Sequence, residues 1–300
     1  MIAFSNERPP WLERPTLAGR LVKAVVLVVV SLAVVYPFAS VVATSLASDQ
    51  DIVQSGGLVL VPLHPNLEAY RTILQGGVIT HAVLVSVGIT VIGTLASLVT
   101  TVAMAYGLSR PGVLGSKPVL MLALFTLMFT PGIIPNYLLV KQLGMLNSYA
   151  SLIVPVLMNA FNLVVLRGFF MGIPGELIDS ARMDGAGDFR ILTLIVLPLS
   201  KAVLAVIALF YAVTYWNAFF NALLYLNDSG KWPLQLVLRL YVLQGAPLPG
   251  AIALSPDMTP PPAQSIQMAV VVIALVPILL VYPFLQRYFT KGVLTGAIKG

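Results

Sequence analysis

Six long apolar stretches follow one another along the chain, and shorter segments that carry most of the charged residues separate them. The apolar stretches cover residues 21–46, 78–108, 119–140, 150–170, 202–226 and 266–288. Each can cross a bilayer as a helix, which takes ~20 residues. A helix satisfies its own backbone polar groups in lipid, and Val25–Val35 lacks the alternation of a transmembrane β-strand. The pattern therefore predicts an all-α integral membrane protein with six transmembrane helices.

Positive charges are unevenly divided between the two sides of these predicted spans. With the N-terminus placed inside, the inner segments hold 13 of the 17 Lys and Arg residues. The outer segments hold the other four, which are Arg71, Lys141, Lys231 and Arg239. Because Lys and Arg concentrate on the cytoplasmic side of membrane proteins, both termini are expected in the cytoplasm. The chain then divides into a cytoplasmic segment 1–20, a transmembrane domain 21–290 and a cytoplasmic tail 291–300.

Composition supports a membrane protein and excludes several other functions. Hydrophobic residues make up 58% of the 300 residues and charged residues 9%, whereas soluble domains carry about 25% charged residues. The net charge of +6 is distributed between apolar runs and forms no single basic face, so no nucleic acid partner is expected. With no Cys and only two His, the sequence offers no metal cluster, and no catalytic set is evident. It also lacks a Walker A motif, so ATP is expected to bind on another subunit.

The loop after the fourth predicted span, residues 174–198, carries the most specific pattern. Glu176 suits the first turn of a helix, and Gly185 suits its end because Gly tolerates a positive φ. Asp188 is expected to cap a second helix that runs to the residue before Pro198. The sequence therefore predicts a helix, a sharp bend and a second helix on the cytoplasmic side.

This loop resembles the EAA motif of binding-protein-dependent ABC importer permeases, which runs Glu-Ala-Ala, three residues, Gly, nine residues, then Ile-x-Leu-Pro. The matching positions are Asp179-Ser180-Ala181, Gly185, Ile195, Leu197 and Pro198. Asp replaces Glu and Ser replaces Ala at the first two positions, and the acidic charge is kept. The resemblance implies an ABC type I importer permease fold, with a loop that docks in a groove of a separate ATPase. The residues it assigns to this coupling are Glu176, Asp179, Ala181, Asp184, Gly185, Ala186, Ile195, Leu197 and Pro198.

Further stretches resemble the MalG-like carbohydrate permeases, and most closely their LplC-like branch, which imports oligosaccharides, acidic ones included. They are Leu67–Tyr70, Trp216–Leu226, Pro233–Arg239 and Tyr282–Gly300. The resemblance implies a multi-pass permease of the bacterial inner membrane that forms half of a translocation pathway. The implied partners are a second homologous permease, two ATPase subunits that hold ATP and Mg, an external sugar-binding protein, an oligosaccharide and membrane lipid. No cofactor is expected on this chain.

Polar side chains at the depth of the predicted spans are candidates for the lining of that pathway. They are Asn136, Asn159, Asn162, Tyr211, Tyr215, Trp216, Asn217 and Asn221. Aromatic rings beside polar groups suit sugars, which have an apolar face and hydroxyls at the edge. Asn and Tyr also hold transmembrane helices together, so both roles stay open for these residues.

Two other functions compete with import by an ABC transporter: an ion-coupled secondary transporter and a membrane scaffold that transports nothing. Ion-coupled transporters usually place ionisable groups inside the membrane. The six predicted spans contain no Asp or Glu, which disfavours the first alternative. A scaffold would bind partners without substrate flux. Both acidic and neutral sugars stay open as substrates.

Overall fold

The computed structural model describes residues 16–75, 77–129, 131–243 and 263–297, and helices joined by turns form these parts of the chain. In chain order the helices are α1 (Leu17–Ser45), α2 (Asp49–Gln54), α3 (Glu68–Leu74), α4 (Val78–Ser109), α5 (Ser116–Met128), α6 (Ile133–Gln142), α7 (Ala150–Ile153), α8 (Ala160–Met171), α9 (Gly175–Met183), α10 (Asp188–Ile191), α11 (Leu197–Leu199), α12 (Lys201–Trp216), α13 (Phe219–Tyr225), α14 (Leu234–Leu238) and α15 (Ala263–Ala297). The prediction of an all-α membrane protein is confirmed.

Three helices are long and apolar enough to cross a membrane, namely α1, α4 and the Ala263–Val281 part of α15. Two bent pairs would each add one span. Ala150–Val156 and Ala160–Met171 meet at 50°, and Asp188–Leu199 and Lys201–Trp216 meet at 85°. The shorter α5 is also apolar. By length and composition, the described residues therefore hold three to five candidate spans, where the sequence predicted six.

Three of the predicted spans are interrupted where the helical hydrogen-bond ladder breaks. The stretch 119–140 divides between α5 and α6 around Pro131, which has no N–H to donate. The stretch 150–170 breaks after a 3-10 turn that contains Pro155. The stretch 202–226 breaks at Asn217, whose side-chain Nδ2 donates to the Val213 carbonyl at 2.9 Å. Such a side chain competes with the backbone and favours a helix end.

The terminal helices extend beyond the predicted domain boundaries. α1 begins at Leu17 and α15 runs to Ala297, so residues 17–20 and 291–297, which the sequence assigned to cytoplasmic segments, are helical. The remainder of those predicted segments, residues 1–15 and 298–300, lies outside the described residues.

One compact unit contains residues 16–69 and 263–269 among those described. The Oγ1 of Thr44, near the end of α1, accepts the Val59 N–H at 2.9 Å and so fixes the following loop. Ser48 and Asp51 form a capping box at the start of α2. Asp51 also accepts the backbone N–H of His64 at 3.0 Å, and this hydrogen bond lowers the pKa of the Asp51 carboxyl.

The second unit contains residues 70–243 and 270–297, and α4 packs most extensively against α12 and then α8 within it. One face of α4 buries small residues at spacings of four or seven, namely Ser86, Gly93, Ser97, Thr101 and Ala105. Small residues at this spacing allow two helix backbones to approach closely. Tyr211 and Tyr215 of α12 occupy that face, where their hydroxyls share hydrogen bonds with Thr101 Oγ1 (2.7 Å) and Ser97 Oγ (2.8 Å).

The closest approach lies at Gly93. A Cβ atom at this position would stand 2.7 Å from Cζ of Tyr215 and 2.8 Å from both of its Cε atoms. Gly88, five residues earlier on the same helix, has no atom within 4 Å of such a Cβ. The two glycines therefore form a matched pair for measuring what close packing contributes.

We expect Gly93→Ala to lower the free energy of unfolding by about 1–3 kcal/mol, because the added methyl group overlaps the Tyr215 ring. Gly88→Ala should be neutral, or stabilising by about 0.5–1 kcal/mol, because Ala favours a helix over Gly. Denaturant titration of the two purified variants in detergent micelles measures both. Equal stability of Gly93→Ala and the wild-type protein would contradict the packing described.

Candidate functional site

Residues 174–199 form a helical projection that we call the elbow: α9, a turn, and the arm Asp188–Leu199. α9 ends in a Schellman motif, in which the Ala186 N–H donates to Ala181 O (2.9 Å) and the Gly185 N–H to Arg182 O (3.0 Å). Gly185 has a φ of 78°, which favours Gly strongly. The predicted helix stop at Gly185 is confirmed.

The arm of the elbow ends later than predicted. It continues through a π-helical turn, Leu192–Val196, and reaches Leu199. Pro198 lies inside its last turn, although a Pro usually ends an α-helix because it lacks an N–H and its ring crowds the preceding turn. The wider π-helical turn just before Pro198 relieves that crowding. The Ser200 N–H then donates to Val196 O at 3.0 Å, and α12 departs at 85°.

Asp188 does not cap the arm as the sequence predicted. Gly187, with extended φ and ψ of −74° and 165°, occupies the N-cap position, so Asp188 is the first residue inside the helix. Its carboxylate lies instead 3.5 Å from Nη2 of Arg182. The Tyr106 hydroxyl, on α4, donates to the Asp188 carbonyl oxygen at 3.1 Å and approaches its Oδ1 at 3.4 Å.

The residues that the sequence assigned to coupling divide into an exposed and a half-buried set. Glu176, Asp179, Asp184, Gly185 and Pro198 are exposed, whereas Ala181, Ala186, Ile195 and Leu197 are half-buried. Ala181 and Ala186 pack against the core of the second unit. Ile178 and Ile191, which the sequence analysis did not single out, are buried in that core and anchor the two limbs of the elbow.

Two large apolar side chains at the bend of the elbow were not among the predicted coupling residues. Met183 is 88% exposed and Phe189 is 79% exposed, and they flank the turn at Gly185 and Gly187 on its two sides. Large apolar side chains that are exposed outside the predicted spans are candidates for contact with a partner protein. The signal in the sequence is their position beside a Gly-rich turn in an otherwise polar loop.

The aromatic pathway candidates use their polar atoms between helices. Tyr211 and Tyr215 are buried and bond to α4, and the Tyr211 hydroxyl also accepts the Asn159 N–H at 3.0 Å. Trp216 is buried as well, and its Nε1–H donates to the Ala274 carbonyl oxygen of α15 at 3.2 Å. These contacts hold α4, α8, α12 and α15 in place.

The other candidates lie in different surroundings. Asn159 is the N-cap of α8, where its Oδ1 accepts the Asn162 N–H at 3.1 Å, and Asn162 is buried. Asn136 is half-buried near the start of α6. Asn217 and Asn221 lie together on an open cleft of about 150 Å³. Its other lining residues are Leu152, Val156, Thr214, Tyr215, Ala218 and Phe220.

Known proteins resemble this chain along most of its length. Residues 101–295 match the family described as "Binding-protein-dependent transport system inner membrane component". The "Polygalacturonan/rhamnogalacturonan transport system permease protein YtcP" of Bacillus subtilis (strain 168) is 47% identical over 91% of this chain and 96% of its own length. "Protein LplC" of the same organism is 43% identical over 89% of this chain and 90% of its own length.

A solved structure is also similar. The crystal structure of a bacterial ABC transporter involved in the import of the acidic polysaccharide alginate contains a chain that superposes with a TM-score of 0.85. The two sequences are 30% identical, and the match covers 94% of this chain and all of the other. The ABC importer permease fold expected from the elbow motif is therefore confirmed.

The family match includes the elbow, the C-terminal part of α4 and the whole of α12. The family match agrees with three expectations from the sequence: the resemblance to permeases, the location in the inner membrane, and ATP hydrolysis by another subunit. The chain belongs to the family of inner-membrane components of binding-protein-dependent transport systems, in which it is a multi-pass permease component and not an ATPase.

Proposed function

We propose that this chain is one of two permease subunits of an ATP-driven ABC importer of oligosaccharides. The observation that carries the proposal is the elbow. Buried Ile178 and Ile191 fix its limbs, a positive φ at Gly185 sets its bend, and Met183 and Phe189 are exposed at the tip. A rigid projection with exposed apolar side chains is suited to docking on a partner subunit.

A topology with six membrane crossings and both termini in the cytoplasm agrees with this function. The three long helices supply three crossings and the two bent pairs supply two. We assign the sixth to α5 and α6 together, as a span broken around Pro131. Broken spans are tolerated where they are buried in protein or line a cavity. The permease domain is then 21–290, with cytoplasmic segments at 1–20 and 291–300.

The elbow is proposed to transmit motion from an ATPase subunit, which holds ATP and Mg. The exposed carboxylates of Glu176, Asp179 and Asp184 would meet polar groups of that subunit, while Met183 and Phe189 enter an apolar groove. The half-buried coupling residues hold the elbow on the core. They are Ala181, Ala186, Ile195 and Leu197. Gly185 sets the bend after α9 by its positive φ, and Pro198 lies in the last turn of the arm.

The complete transporter is proposed to contain a second homologous permease, two ATPase subunits and an external sugar-binding protein. The family description, which names dependence on a binding protein, supports the last of these. The cleft at Asn217 and Asn221 supports the second permease, because Thr214, Asn217 and Phe220 are exposed along it. Half of a pathway, shared with a partner, would present such an open surface.

Acidic oligosaccharides are the proposed substrate class. YtcP is named for polygalacturonan and rhamnogalacturonan, and the similar solved structure belongs to an importer of acidic alginate. The cleft offers two amides, the Thr214 hydroxyl and the rings of Tyr215 and Phe220, which suit the hydroxyls and the apolar face of a sugar. We propose that Asn217 and Asn221 contact the sugar. The remaining candidates are proposed to support the wall of the translocation pathway, and they are Asn136, Asn159, Asn162, Tyr211, Tyr215 and Trp216.

Co-purification and uptake test the proposal as a whole. The tagged chain, extracted gently from native membranes, should bring down an ATPase and a second permease. In proteoliposomes with the binding protein, that complex should take up labelled oligogalacturonates only when ATP is supplied to the ATPase side. Uptake by the chain alone in an ion gradient would favour a secondary transporter. Partner binding with no flux of any sugar would favour a scaffold.

We expect Gly185→Leu to reduce ATP-driven uptake at least tenfold while the amount of inserted protein stays the same. A left-handed conformation costs a residue with a Cβ roughly 1–2 kcal/mol, so the Schellman motif and the bend are distorted. Uptake into proteoliposomes and recovery of the ATPase in pull-downs are the two measurements.

Gly187→Ala is the matched control for that substitution. Gly187 lies two residues away, has an ordinary φ of −74° and has open space around a Cβ. It should leave uptake close to the wild-type rate. Wild-type uptake by Gly185→Leu would remove the coupling role assigned to the elbow.

We expect Asn217→Ala combined with Asn221→Ala to lower uptake at least fivefold with little loss of stability, because both side chains line an open cleft. Asn159→Ala should show the opposite behaviour. It removes a helix cap and should cost about 1 kcal/mol of stability. Uptake rates and thermal melting of the two variants separate these roles. A double variant that transports at the wild-type rate would exclude both amides from the pathway.

A further inference from the structure

Tyr106 connects two parts of the chain that lie 82 residues apart in sequence. It stands in the last turn of α4, and its hydroxyl donates to the carbonyl oxygen of Asp188 at 3.1 Å. The Asp188 Oδ1 lies 3.4 Å from the same hydroxyl. The contact therefore joins the cytoplasmic end of α4 to the first residue of the elbow's arm.

The Tyr106 ring is itself held in place. Only 8% of this residue is exposed, and the guanidinium carbon of Arg110 lies 4.4 Å from the ring centroid. Nε and Nη2 of Arg110 are buried, and neither has a hydrogen-bond partner among the residues that the structure describes. A desolvated guanidinium over an aromatic face is attracted more strongly than an exposed one. Tyr106 thus presents its hydroxyl to the elbow from a fixed ring.

A directed bond from the elbow to α4 adds to the packing of Ile178 and Ile191, and it matters because the covalent join to α12 is sharply bent. The arm Asp188–Leu199 is covalently joined to α12, but the helix axis turns by 85° at Ser200. The Oγ of Ser200 is buried, with no hydrogen-bond partner among the described residues. A bend can absorb part of a displacement of the arm, so that the displacement does not reach the bundle. The hydrogen bond to α4 gives the arm a further point of support beside buried Ile191.

α4 is well placed to receive a displacement. It packs closely against α12, where Gly93 accommodates Tyr215 and Thr101 bonds to Tyr211. Tyr106 follows Thr101 by five residues on the same helix. A force applied at Tyr106 therefore acts directly on the antiparallel pair of α4 and α12, in which the C-terminal end of α12 borders the cleft at Asn217.

We propose that Tyr106 is a positioning residue, whose hydroxyl fixes the elbow to α4 so that motion of the elbow reaches α4 directly as well as through Ser200. This inference rests on the proposed function of the elbow. The neighbouring ion pair between Arg182 and Asp188 contributes less, because both side chains are at least half exposed. The Tyr106 hydrogen bond is the specific link.

The test substitutes Tyr106→Phe in the assembled transporter, which removes the hydroxyl and keeps the ring beneath Arg110. Tyr137→Phe is the control, because the Tyr137 hydroxyl has no hydrogen bond among the described residues and its ring stacks on Tyr225. The first measurement is the rate of deuterium exchange at the backbone amides of residues 188–199, with the transporter in proteoliposomes. The second is the amount of labelled oligogalacturonate transported per ATP hydrolysed by the same proteoliposomes.

Tyr106→Phe should raise the exchange rates of the arm at least threefold and lower the sugar-to-ATP ratio at least threefold, with the complex intact. Tyr137→Phe should change neither. Unchanged exchange would show that the hydroxyl does not hold the arm. Faster exchange of the arm with an unchanged sugar-to-ATP ratio would show that the Tyr106 hydrogen bond has only a structural role. Equal changes in Tyr137→Phe would show that the effect is not specific to Tyr106. Each of these three results overturns the inference.

Gly185→Leu, measured beside these variants, separates this inference from the function on which it rests. If Gly185→Leu transports normally, the coupling role of the elbow fails. If Gly185→Leu stops transport while Tyr106→Phe keeps the wild-type ratio, the elbow couples and the role of Tyr106 fails.

Discussion

The contact between α4 and α12 at Gly93 sets the arrangement of the second unit. Lipid offers little hydrophobic drive for two apolar helices to associate, so close packing and hydrogen bonds must hold them. The buried small residues of α4 allow the close packing. The hydrogen bonds join Tyr211 to Thr101 and Tyr215 to Ser97. α8 joins the same assembly, because the Tyr211 hydroxyl also accepts the N–H of its cap residue Asn159. The cleft and the elbow are both built outward from this pair.

Features that local chemistry determines could be predicted from the sequence. The apolar length of α1 and α4 and the stop at Gly185 depend on residues close to one another in the chain, and the structure has them as expected. The elbow motif was enough to indicate the permease family. The spacing of the motif residues is itself a local pattern, because it depends on one bend at Gly185 and one helix end near Pro198.

Features that depend on distant parts of the chain could not be predicted. Asp188 is a good helix cap by residue type, yet the extended Gly187 takes that position and Tyr106 engages Asp188 from 82 residues away. The π-helical turn before Pro198 likewise has no signature in a single sequence. The roles of Tyr211 and Tyr215 stayed open for the same reason, because nothing local reveals that α4 offers them hydroxyl partners.

A contact that leaves no room for one methyl group also removes degrees of freedom. α4 and α12 cannot slide past each other at Gly93 without expelling the Tyr215 ring, so over that length they behave as one stiff body. In the part of the second unit that surrounds this pair, bending is then easiest where the helical ladder is already interrupted, as it is around Pro131, between Val156 and Ala160, at Ser200 and at Asn217. The positions where the backbone lacks helical hydrogen bonds therefore determine where the structure bends. The rotation that these few positions allow determines the amplitude of the motion.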